Sequence, residues 1–440
     1  MPNLRRVGWI APILIVCAVV SARAEGEGFY GPLEVRDSEQ GMMDSVRATE
    51  DLFLRRGYRH DDPELSAFVT RVGKTLAPKP ADDYIRYRFF VLRDIEPNAF
   101  ALPDGQVYVN TGLLALLENE AQLAAVLAHE VQHTAGHHGL LSYRSVKRKA
   151  IASMVLGPLT LGVGDYFLAR SVYGYSRDLE SEADRLGLKK MVAAGYDPNE
   201  MIEMLELLGE DSEGERPELK SSKWSTHPAL QARAEAARTA LPGATLGRKG
   251  GTLRVGGPEY LRLVRPVILD TVEDLVAADY PRTALGLVAP IVLQGGSARA
   301  HFLVGEARRT LGARPLIEGE QVLTNREKRK NRIRRAYYTR AERQEVLLKT
   351  EDGRAARKKN MEKAVAEYRR ALAIDPGLAE AHRGIGQALR VLGRPKEAGQ
   401  ELVIYLRARP DAPDKSLIVD ELQTITGEIR TGPNSQGGQP

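Results

Sequence analysis

The sequence predicts a mainly α-helical protein with a small β-sheet, in two parts of different character. Three observations lead there. First, "PGATLGRKGGTLRVGG" (residues 242–257) holds six glycines in sixteen positions and divides mixed helix-and-strand sequence from sequence that is almost wholly helical. Second, the region before it contains an apolar helical pattern with two histidines four residues apart, and a later helical pattern with two carboxylates at the same spacing. Third, in the region after it, "AHFLVGEARRTLG" (300–312) and "AHRGIGQALRVLG" (381–393) share seven of thirteen positions.

Taken in chain order, the first element is a leader. Arg5 and Arg6 precede an apolar run from Val7 to Val20, followed by Ala22-Arg23-Ala24, which reads as a secretory signal peptide cut after Ala24. The run is too short to span a bilayer, which takes about 20 residues. The single cysteine, Cys17, lies inside it with no small residue just before it. The mature chain is therefore expected to be unlipidated and free of cysteine, which excludes disulfides, thiolate metal ligands and cysteine nucleophiles. Any metal must be held by His, Asp or Glu.

The formal charge is +5, from 63 basic and 58 acidic residues, and the leader accounts for three of the basic ones. The near balance hides a basic block, fourteen Lys/Arg against five Asp/Glu between Arg326 and Lys359. In an exported chain this block points to anionic lipid headgroups or acidic protein partners and away from nucleic acid.

The segment "NAFALPDGQVYVNTGLL" (98–114) has strand character and offers an edge along which an extended peptide could pair. Asn119 and Gln122 form a capping box that opens a helix, Leu123, Val126, Leu127 and Val131 give it an apolar stripe, and Gly136 stops it. On this helix His129 and His133 project from one face on successive turns, the separation at which two imidazoles share one zinc. Glu130 lies next to them as general base. His137 and His138 are excluded as ligands, because the helix stops first, and the final histidine of the metzincin spacing is replaced by Gly139. The apolar stretch 151–164 is too short to span a membrane and reads as core or an interfacial flap.

The remaining ligand comes from "YSRDLESEADRLG" (175–187). Ser176 caps a helix running to about Ala194, and Gly195 and Pro198 end it. Glu180 and Asp184 then share one face, the first as a zinc ligand and the second one turn on, placed to orient a ligating imidazole. Two His and one Glu leave a fourth position open, as hydrolysis requires. His227, in "KWSTHPAL", either donates a hydrogen bond to the developing oxyanion or occupies that fourth position and holds the enzyme latched; as an ordinary loop residue it does neither.

Beyond the glycines, Ala364, Tyr368, Ala371 and Pro376 carry the spacing of a 34-residue helix-turn-helix repeat resembling the tetratricopeptide repeat, and stacked repeats form a concave groove for a protein partner. The expected organisation is signal peptide 1–24, peptidase domain 25–241, linker 242–257, repeat-like helices 258–312, basic connecting segment 313–360, repeats 361–425 and a disordered tail 426–440.

His129-Glu130-x-x-His133, His138-Gly139, Ser176-Arg177-x-x-Glu180-x-Glu182-Ala183-Asp184, residues 98–114 and "STHPAL" (225–230) resemble the zinc metallopeptidase family of the HtpX heat-shock protease and the CAAX prenyl protease. The resemblance spans about residues 40–240 and is greatest to the periplasmic BepA-type members with C-terminal repeats. It implies a gluzincin-type domain holding one zinc per chain through His129, His133 and Glu180, with Glu130 as base and Asp184 behind the ligands. One departure is His137, where the family often has arginine. The implied activity is a periplasmic endopeptidase that cleaves misfolded or stalled envelope proteins while its repeats dock the outer-membrane assembly machinery. Residues 326–359 are a candidate contact to an anionic membrane surface. The alternative is a chaperone or assembly scaffold with a latched or secondary protease site.

Overall fold

The structure is a computed structural model that describes residues 32–80, 82–153, 175–210, 230–246, 251–313 and 350–430. The leader, residues 154–164 of the apolar stretch, His227, most of the basic block and residues 431–440 lie outside the described residues.

The chain begins with α1 (Gln40–Arg47), α2 (Thr49–Arg55) and α3 (Pro63–Leu76). Asp62 caps α3 by accepting from the amides of Glu64 and Leu65, and Pro63 fills the first helical position, where no amide is needed. A three-stranded sheet follows, β1 (Arg88–Leu92), β2 (Ala99–Ala101) and β3 (Gln106–Asn110), in the order β1-β3-β2. β3 pairs parallel with β1 and antiparallel with β2. The far side of β1 is partly covered, because the amides of His60 and Arg93 bond to Val91 and Tyr58. β2, the first strand of the segment read as a peptide-pairing edge, lies on the other side of β3 from β1.

Next come the short α4 (Thr111–Leu114), α5 (Glu120–Ala135), α6 (His138–Ser153), α7 (Arg177–Ala193), α8 (Asn199–Glu210) and α9 (Leu230–Thr245). The helical half comprises α10 (Gly257–Ala277), α11 (Pro281–Leu293), α12 (Ala298–Ala313), α13 (Glu351–Ile374), α14 (Ala379–Val391), α15 (Pro395–Ala408) and α16 (Lys415–Arg430). Among the described residues no helix is long and apolar enough to cross a membrane.

One apolar core runs from Leu65 in α3 through the sheet, α5, α7 and α8 to Val304 and Ala307 in α12. The described residues of the stretch 242–257 are packed against this core. α9 extends into its first four residues, and Arg254 exchanges backbone hydrogen bonds with Gly195 and Asp197. Val255 accepts from the amide of Ala121, so the glycine-rich chain is docked on the start of α5 and the end of α7. Composition signals an irregular backbone here, but not that its polar groups are satisfied by the helices beside it.

A second apolar cluster joins α13 to α16 around Tyr368, Ile385 and Leu402. The ring of Tyr368 lies where a Cβ on either Gly305 of α12 or Gly384 of α14 would stand inside contact distance. Gly305 and Gly384 thus let two helices close on one aromatic ring, although the residue matched to Gly305 in the second segment is Gly386, which packs on Leu402. Two boundaries differ from the sequence reading. α13 starts at Glu351, so the last ten residues of the basic segment are helical, and α16 continues to Arg430, into the stretch read as tail.

Candidate metal centre

α5 is fixed at both ends by local chemistry. Asn119 accepts from the amide of Gln122, while the Gln122 side chain reaches back one residue further than a capping box requires, to the amide of Glu118. Asn119 and Gln122 both donate to Glu200 of α8, tying the start of the helix to the core. At the other end Gly136 is the C-cap, but the left-handed residue is His137, with φ +54°. Its ring lies against the Tyr84 hydroxyl and Asp82, contacts that hold a conformation which costs a side-chain-bearing residue about 1 kcal/mol or more. The chain then turns directly into α6.

α7 is capped by Ser176, which accepts from Leu179, and ends at Ala194 before Gly195 in the left-handed region. It crosses α5 closely, since a Cβ on Gly187 would be 3.3 Å from the His129 amide nitrogen. This approach brings together residues 47 or more positions apart. Nε2 of His129 and Nε2 of His133 are 3.0 Å apart, and the Glu180 carboxylate oxygens are 3.5 Å from the first and 3.6 Å from the second. All three residues are buried, and they form the metal-capable group found among the described residues.

The donors fit a tetrahedral zinc. With bonds of about 2.0–2.2 Å, two ligand atoms on one zinc stand roughly 3.4 Å apart, close to all three separations. Charge agrees as well. Glu130, Glu180 and Asp184 are buried with Arg233, so counted as ionised they leave two negative charges for a divalent cation to balance.

The groups behind these three residues decide which nitrogens would face a metal. Asp184 lies 2.9 Å from Nδ1 of His129, so that nitrogen donates and Nε2 keeps its lone pair for the metal. Nδ1 of His133 is 2.9 Å from Nδ1 of His138, whose Nε2 lies 3.4 Å from Glu182. The same logic has His133 donate to Nδ1 of His138, which puts the His138 proton on the nitrogen that stands near Glu182. Tyr175 stacks on His133, with ring centroids 3.9 Å apart and planes inclined by 14°. His137 and His138 thus lie outside the group of three, but His138 touches one of its members.

Arg233 was not singled out in the sequence. It projects from the buried face of α9 formed with Leu230, Ala234 and Ala237, a helical spacing that is the available signal. Its Nε and Nη2 each donate to Asp184 at 2.7 Å, and Nη1 stands 3.1 Å from Glu180. Burial pushes the Asp184 carboxyl up, but the charge and hydrogen bonds of Arg233, with the hydrogen bond to His129, outweigh it and hold its pKa at about 2. At His129, burial and the Arg233 charge push downward, whereas the hydrogen bonds to Asp184 and Glu180 prevail and raise the pKa to about 9. In the metal-free chain His129 therefore holds a proton that a metal must displace.

Two histidines from α5, a glutamate from α7, and a second glutamate between the histidines define a metallopeptidase of the gluzincin type. Residues 60–241 match the profile of Peptidase family M48, and residues 356–393 match the TPR repeat. The chain carries an M48-family peptidase domain followed by a C-terminal tetratricopeptide-repeat region. It is 30% identical over 165 residues to a putative beta-barrel assembly-enhancing protease of Vibrio cholerae, covering 34% of each chain. It is 28% identical over 193 residues to a beta-barrel assembly-enhancing protease of Escherichia coli, covering 40% of this chain and 39% of the relative. It is also 32% identical over 186 residues to a mitochondrial metalloendopeptidase OMA1 of Schizosaccharomyces pombe, covering 41% of this chain and 55% of the relative. The matches thus span between about a third and just over half of these relatives' lengths.

Proposed function

We propose that the chain is a zinc-dependent endopeptidase of the periplasm that cleaves misfolded or stalled outer-membrane proteins, with its helical repeats docking protein partners. The observation that carries this reading is the buried cluster of His129, His133 and Glu180, which joins α5 to α7. The relatives named as beta-barrel assembly-enhancing proteases support the substrate class.

His129, His133 and Glu180 would hold the zinc, with Asp184 and His138 orienting the two imidazoles. A bound zinc supplies carbonyl polarisation and a water of lowered pKa. Glu130 takes the proton of the attacking water and returns it to the leaving amine. Arg233 offsets the charge of Asp184 and Glu180 and keeps both in place. An extended substrate would pair through backbone hydrogen bonds along the strand-like segment 98–114, which selects for unfolded chain more than for sequence. His227 is placed by this reading either at the developing oxyanion or as a latch on the fourth position.

The test compares the parent chain with Glu130→Gln on an unfolded protein such as casein, with and without added zinc. The expected result is zinc-dependent cleavage that falls at least about 100-fold in the variant, while zinc content is unchanged. Cleavage at the parental rate by Glu130→Gln would sink the reading. The repeat match over residues 356–393 favours the second reading, a chaperone or assembly scaffold with a latched or secondary protease site. That reading gains if cells carrying Glu130→Gln keep their envelope integrity undiminished.

A further inference from the structure

The turn that joins α5 to α6 is gripped from outside by residues 33–39, which precede α1. On one side, the amide of Leu33 donates to Asp82 at 2.9 Å and its carbonyl accepts from Tyr84, the two side chains that meet the His137 ring. On the other side, Arg144 of α6 donates to both carboxylate oxygens of Glu39, from Nε at 2.8 Å and from Nη2 at 2.9 Å, and to the Glu34 carbonyl at 2.7 Å. Lys147 of α6 adds a bond to the Ser38 carbonyl at 3.2 Å. Glu39 is buried, and its Oε2 also accepts from the Arg36 amide, so the local turn of the chain aims the carboxylate at Arg144. The hydrogen bonds of Arg144 outweigh burial and hold the Glu39 carboxyl below its ordinary pKa, which keeps the pair ionised at neutral pH. Apolar packing follows the same division. α5 and α7 lie in the large core, whereas Leu140 and Tyr143 of α6 pack in a smaller cluster with Met42, Met43 and Val46 of α1.

We propose that Glu39 and Arg144 are positioning residues for the metal centre: by fixing the start of the chain on α6 they keep His138 against Nδ1 of His133. The proposal rests on the reading of His129, His133 and Glu180 as zinc ligands and adds a control over one of them. His138 opens α6, and its Nδ1 stands 2.9 Å from that of His133. The backbone of His133 is fixed by α5, but its ring can still turn about its side-chain bonds. With Nδ1 held from behind, Nε2 faces His129 and Glu180. Tyr175 stacks on the ring and limits its tilt, yet a stacking face does not choose between the two nitrogens. The choice falls to His138, and a drift of α6 by about 1 Å would take this contact past hydrogen-bond range. The junction gives little tolerance of its own. His137 is left-handed, at φ +54°, and such a conformation persists only where its surroundings over-determine it. Leu33, through Asp82 and Tyr84, and Glu39, through Arg144, supply those surroundings.

The test measures zinc affinity by chelator competition, with melting curves of the metal-free protein, on the full chain carrying Glu39→Gln, Arg144→Gln or both. Glu39→Gln keeps the shape and loses the charge-assisted bonds, so it leaves a folded chain to measure. The reference is Gly384→Ala, which loosens the separate cluster around Tyr368. The expected result is a roughly tenfold loss of zinc affinity in each single variant, the low end for a group that acts through a ligand's partner. The double variant should lose little more, because the two residues act as one pair. Gly384→Ala should leave affinity unchanged even where its melting temperature falls as far. Unchanged affinity in both single variants overturns the proposal, whatever their melting curves, and so does an equal loss in Gly384→Ala. Fully additive losses in the double variant overturn it as well. Casein cleavage by the parent chain, measured alongside, keeps the two readings apart. A parent that cleaves, with a zinc affinity indifferent to Glu39, removes this proposal alone. One whose zinc affinity follows Glu39 but which does not cleave removes the peptidase reading alone, and a parent that binds no zinc removes both.

Discussion

Asp184 lies 2.9 Å from Nδ1 of His129, one helical turn beyond Glu180 on α7. One helix thus carries both the metal-capable Glu180 and the carboxylate that meets the ring of His129, another member of that group. Asp184→Asn keeps the shape but removes the charge. It should lower zinc affinity about 10- to 100-fold, read by chelator competition. An unchanged affinity would mean that the His129 ring is held by other contacts.

Arg233 is buried between Asp184 and Glu180, and without it the metal-free site keeps both carboxylates with the protonated His129 as the cation beside them. Removing one partner of a buried ion pair costs about 3–5 kcal/mol, so Arg233→Ala should destabilise the metal-free chain by that amount in denaturant. Saturating zinc should recover part of the loss, because the metal takes over the charge of Glu180. A loss that zinc leaves untouched would show that Arg233 acts only through its fit.

Gly384 and Gly305 face the two sides of one ring, that of Tyr368. Gly384→Ala should cost about 1–3 kcal/mol through overpacking and lower the melting temperature of the chain. Zinc affinity should not change, since the apolar cluster around Tyr368 is separate from the core that holds the metal centre. A drop in zinc affinity would contradict that separation.

The parts of the site legible in the sequence are those fixed by local geometry. The i, i+4 spacing places His129 and His133 on one face, and Asn119 and Ser176 announce their helices because their side chains bond amides within the first turn. Glu180 was legible through its pattern with Asp184 and through family resemblance. Arg233 was not, because an arginine on a helix reads as solvated surface until α7 is known to cover it. The docking of Arg254 on Gly195 was hidden for a related reason. Glycine content reports a permissive backbone, and whether its amides meet water or another helix is decided by tertiary contacts.

The junction of α12 with α13 supplies a pH dependence. Tyr368 donates to Glu306 at 2.6 Å, and Arg309 donates to Glu306 at 2.6 Å and to the Tyr368 hydroxyl at 3.3 Å. Burial pushes the Glu306 carboxyl up, but Arg309, Tyr368 and the charge of Arg383 outweigh it and hold its pKa below 4.5. A carboxyl with a lowered folded pKa adds stability that is fully present above its unfolded value and is lost as pH falls through the folded one. At Tyr368, burial and Glu306 push the hydroxyl well above 10, so its contribution is present below about pH 10 and is lost only on the alkaline side. The denaturant midpoint should therefore hold between roughly pH 5 and 9 as far as this cluster sets it, and fall on acidification below about pH 4.5. Glu306→Gln cannot titrate, so it should be less stable than the parent at pH 7 but lose less between about pH 5 and 3. Circular dichroism of both proteins across that window measures the difference. Equal acid slopes would mean that other carboxyls, such as the Arg144-paired Glu39, set the response.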